Sequence, residues 1–132
     1  MASLLNKTED VANDNNITDS DIFGIGETWM KPSGTINFAG YTEHLANYGK
    51  GKGVCSFSRM QSTLLNSVSS KTASAIHLQT EVFDVIFVYL SSDCNRDELF
   101  GLLDTWVQNE RPTLIMVDVN MDFLKNCRLA NF

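Results

Sequence analysis

The sequence is poor in the features that hold small secreted or metal-stapled domains together. Its three cysteines, Cys55, Cys94 and Cys127, are odd in number, far apart and never in a Cys-x-x-Cys pair. That argues against a disulfide framework and for a reducing compartment. There are only two histidines, His44 and His77, and the five residues together match no zinc spacing. Positive charge is also scarce: 10 Lys and Arg stand against 16 Asp and Glu, a net charge of -6. No global basic field draws in nucleic acid, so any such role needs a local site or a metal. No apolar run approaches the roughly 20 residues that span a bilayer. The opening "MASLLNKTEDVANDNN" carries Lys7, Glu9 and Asp10 too early for a signal peptide. The expectation is an intracellular chain, cytoplasmic or nuclear, with no membrane partner, in which the sequons at Asn6 and Asn16 stay idle.

What remains is the composition of one soluble globular domain over residues 1–132, 43% hydrophobic and 20% charged. A chain of this length can bury a real core. Ser3 can cap a short helix with Leu4, Leu5, Thr8, Val11 and Ala12 on one side, ended by "NDNN" at 13–16. "DIFGIG" (21–26) reads as a buried strand. "INFAGYTEHL" (36–45) reads as a strand with a bend, "YGKGKG" (48–53) as a hairpin turn and "VCSFS" (54–58) as an alternating strand. Residues 60–72 fit neither period. "ASAIHLQT" and "VFDVIFVYL" (82–90) read as two strands around a turn near Glu81, the second almost wholly apolar and hence central.

The clearest helix covers 95–110, with Leu99, Leu102, Leu103, Trp106 and Val107 on one face and Asn95 and Glu98 as a capping pair. Pro112 stops it, strand 113–117 follows, and "LKNCRLANF" begins a further element. Strand, helix and strand over 82–117 make a βαβ unit with a parallel pair, so the class is a mixed α/β layered domain.

Ligands of open α/β sheets sit beyond the carboxyl ends of strands. Glu27 ends one strand, Tyr89 stands near the end of another, and Asp118 and Asn120 end a third. If the strands share a direction, these four gather at one edge. Carboxylates suit Mg2+ or Mn2+, and such an ion can polarise a phosphoryl oxygen. Tyr and Asn can donate to phosphate. Singly, each residue is also what a solvated strand end or a core aromatic looks like. Read on their own, His77 is structural, His44 undetermined, and Trp29 a packing residue.

Taken together, "SDIFGIGETWMKP", "FAGY", "GKGKGVCSFSR", "VFDVIFVYLSS" and "PTLIMVDVNMDF" resemble, in order and spacing, the endonuclease/exonuclease/phosphatase superfamily, nearest the endonuclease domains of non-LTR retrotransposons. The resemblance covers roughly residues 3–132 and rests on Glu-Thr-Trp followed by Asp-x-Asn. It implies two packed sheets with outer helices, of which this chain would supply the first half to two thirds. It also implies weak binding of Mg2+ or Mn2+, with Glu27 as the metal residue and Tyr89, Asp118 and Asn120 as catalytic residues acting on DNA.

Gly26, Leu90 and Val117 depart from the family's usual residues. The family's first-strand Asn and its closing Asp-His block have no counterpart here. Three outcomes follow from the resemblance: a truncated or degenerate Mg-dependent endonuclease with little hydrolysis of its own, an active nicking enzyme, or a repurposed interaction protein. Apolar strands with a helix on one side only further imply an uncovered sheet face, and hence self-association or a partner chain.

Overall fold

A computed structural model describes residues 8–26, 28, 35–49, 52–91, 96–107 and 110–118. Two short helices, α1 (Thr8–Ala12) and α2 (Asn15–Thr18), precede β1 (Ile22–Gly26). Then come β2 (Thr42–Gly49), β3 (Lys52–Ser58), β4 (Ser62–Ser69), β5 (Ala73–Thr80) and β6 (Asp84–Leu90). The helix α3 (Arg96–Trp106) and the strand β7 (Thr113–Asp118) follow. The first sheet has the order β1-β3-β2 and is antiparallel throughout. The second has the order β4-β5-β6-β7, and β6 and β7 run parallel, as the βαβ reading requires.

Side-chain alternation along the strands sorts three apolar clusters into layers. Ala46 and Val54 of the first sheet meet Ile76, Leu78, Val85, Phe87 and Tyr89 of the second, so the sheets pack face to face. The opposite face of the second sheet presents Ala73, Ala75, Ile86, Val88 and Leu90 to Leu99 and Leu103 of α3. The opposite face of the first sheet buries Cys55 and Phe57 under Ile36, Val11, Phe38 and Tyr41. There Phe57 stacks on Phe23 (centroids 5.1 Å apart) and meets Phe38 edge-on (4.8 Å). The Tyr41 hydroxyl donates to the Ser20 carbonyl at 2.7 Å, tying that cover down. The architecture is an α/β sandwich of two sheets with helices outside both.

Several boundaries differ from the sequence reading. "NDNN" does end the first helix, at Ala12, but a second short helix that the reading did not include starts within it at Asn15. Residues 36–41 are not strand: Gly40 has φ 84, and Tyr41 N–H closes a turn on the Phe38 carbonyl. The apolar strand read over 82–90 starts at Asp84 rather than 82, because Thr80 Oγ1 and its backbone close a turn on Phe83. Residues 60–72, which fit no period, contain β4. Its register slips between Leu64 and Asn66, so the alternation changes face midway. The helix ends at Trp106, short of 110. Asn95 and the segment 124–132 lie outside the described residues.

A larger correction concerns the uncovered face. The expectation left one side of "VFDVIFVYL" to water, but the first sheet covers it, and every residue of β6 is buried. Only β7 stays bare.

Gly24 sets the spacing between the sheets. A Cβ built on it would overlap the edge of the Phe87 ring, so β1 crosses the second sheet at a point that favours glycine.

Candidate functional site

In the parallel pair β6 and β7, Tyr89 and Asp118 are register partners at the carboxyl ends of their strands. Tyr89 is 5% exposed and belongs to the cluster between the sheets. On the first sheet, β1 also ends near this place. Gly26, its last residue, lines a cavity of about 180 Å3 together with Val54, Phe87, Met116 and Val117. Glu27 and Asp118 are thus the residues that directly follow two lining positions. Thr28 is buried, and its N–H donates to the Gly53 carbonyl at 3.4 Å, so the chain on both sides of position 27 is held against β3. Glu27 and Asn120, and the side chain of Asp118, lie outside the described residues. The structure therefore brings together Tyr89, the backbone of Asp118 and the end of β1. Among the described residues no group of three or more His, Cys, Asp and Glu is placed to hold a metal.

A second polar cluster was not singled out in the sequence. Asp84 opens β6, about 16 Å along the strand from Tyr89 at ~3.3 Å per residue. Its carboxylate is fully buried, and Arg111 Nε donates to Oδ1 at 2.8 Å. His77 Nε2 lies 3.0 Å from Oδ2. The amide of Asn66 donates to His77 Nδ1 (3.2 Å), which leaves Nε2–H for Asp84. Arg111 also donates to the Thr80 carbonyl, and the His77 ring stacks on Trp106 at 5.8 Å. This cluster pins β5, β6, α3 and the entry to β7 together. His77 is structural, as read from the sequence. The signal for Asp84 was present as the lone acid in an apolar strand, but its partner Arg111 stands 27 residues away.

His44 sits in β2 opposite Ser56. Its Nε2 and the hydroxyls of Ser56 and Ser62 are buried with no hydrogen-bond partner among the described residues. Desolvation lowers the His44 pKa, and the neighbouring Glu43 charge opposes this only in part. Because the folded value lies below the unfolded one of about 6.5, the native state takes up its proton less readily. Stability is then full above about pH 6.5 and falls as pH drops through the folded value. Urea midpoints measured from pH 7.5 to 5.5 should decline in the wild type and decline less in His44→Gln. Identical slopes would refute the assignment.

No protein-family model matches the chain, and no curated protein matches it. Among the described residues no helix is long and apolar enough to cross a membrane.

Proposed function

We propose that this chain is an endonuclease-like domain of retrotransposon ancestry. In this reading it binds a divalent cation weakly where β1, β6 and β7 end, and hydrolyses phosphodiesters poorly or not at all by itself. The observation that carries the reading is the shared register of Tyr89 and Asp118 beside a cavity lined by Gly26, the residue before Glu27. The donor chemistry fits the cation. One carboxylate from Glu27 and one from Asp118 form the sparse oxygen set that Mg2+ accepts while keeping several waters. When bound, the ion supplies charge stabilisation at a phosphoryl oxygen. Tyr89 then serves as a hydrogen-bond donor and Asn120 as an orienting amide toward a DNA phosphate. Weak turnover is expected because the Asp84–His77 pair, which has the make-up of a general base, is buried about 16 Å along β6 from Tyr89 and is engaged by Arg111.

The test joins binding to activity. Mn2+ titration followed by electron paramagnetic resonance should show weak binding that Glu27→Gln and Asp118→Asn each reduce and Tyr89→Phe leaves unchanged. Nicking of supercoiled plasmid in Mg2+ or Mn2+ should stay far below the ~1 per second typical of enzymes. Turnover at that rate, abolished by Glu27→Ala, would replace the reading with an active nuclease. Mn2+ binding indifferent to both carboxylates would remove the metal site.

A further inference from the structure

We draw no further inference here: the strongest candidate, the exposed apolar stretch 114–117 of the strand β7, carries none, because nothing in the structure shows what covers it.

Discussion

Asp84→Ala is expected to destabilise the fold by about 3–5 kcal/mol, the range for breaking a buried ion pair from one side. The carboxylate is fully buried and takes hydrogen bonds from Arg111 and His77. Its removal strands the Arg111 guanidinium, only 27% exposed, with the Thr80 carbonyl as its remaining partner, and leaves the buried His77 Nε2–H unpaired. A domain of this size is stable by about 5–15 kcal/mol, so the variant should lie near its folding threshold. Urea unfolding measures the loss directly.

The loss should also depend on pH. Burial alone would raise the Asp84 pKa. The Arg111 and His77 hydrogen bonds, together with the Arg111 charge, outweigh burial and hold it below the usual carboxylate value. A folded value below the unfolded one of about 3.9 means the stabilisation is complete above pH 4 and is lost as pH falls through the folded value. The gap between wild type and Asp84→Ala should therefore narrow below about pH 4. An alanine variant as stable as wild type at pH 7, or a gap unchanged in acid, would refute this account.

Gly24→Val should also destabilise the protein clearly, although Gly24 is itself exposed. The added Cβ would overlap the Phe87 ring, which is 3% exposed and wedged between the sheets. To relieve the overlap, either β1 lifts off the second sheet or the ring leaves its place. Overpacking of this kind costs about 1–3 kcal/mol, and more where the backbone must move. Phe87→Ala alone should cost about 3–5 kcal/mol through the cavity it leaves. Because the two changes answer one another, the double variant should be more stable than the sum of the single losses predicts. Simple additivity in that cycle would show that the close approach of Gly24 to Phe87 does not set the sheet spacing.

Much of the architecture was legible from local pattern. The apolar run of β6, the helical spacing of Leu99, Leu103 and Trp106 in α3, and the uncharged run of β7 each identify an element, and their order requires a parallel pair. Local periodicity suffices there because each element must bury a particular face. The strand β4 was not legible, because its slip between Leu64 and Asn66 destroys the alternation and most of it is exposed. Of the candidate site, the sequence pointed to strand ends at Tyr89 and Asp118, which are register partners in the parallel pair, while Glu27 and Asn120 lie outside the described residues.

Only tertiary structure decided three things. It matched Asp84 with an arginine 27 residues away, which no local period encodes. It placed glycine at the one point where β1 crosses Phe87. It also laid the first sheet over β6 and left β7 beyond both the opposing sheet and α3. Composition makes β6 and β7 alike, two apolar strands in one sheet. Which of them is covered depends on where the opposite layer ends, and that is a property of packing between residues far apart in the chain.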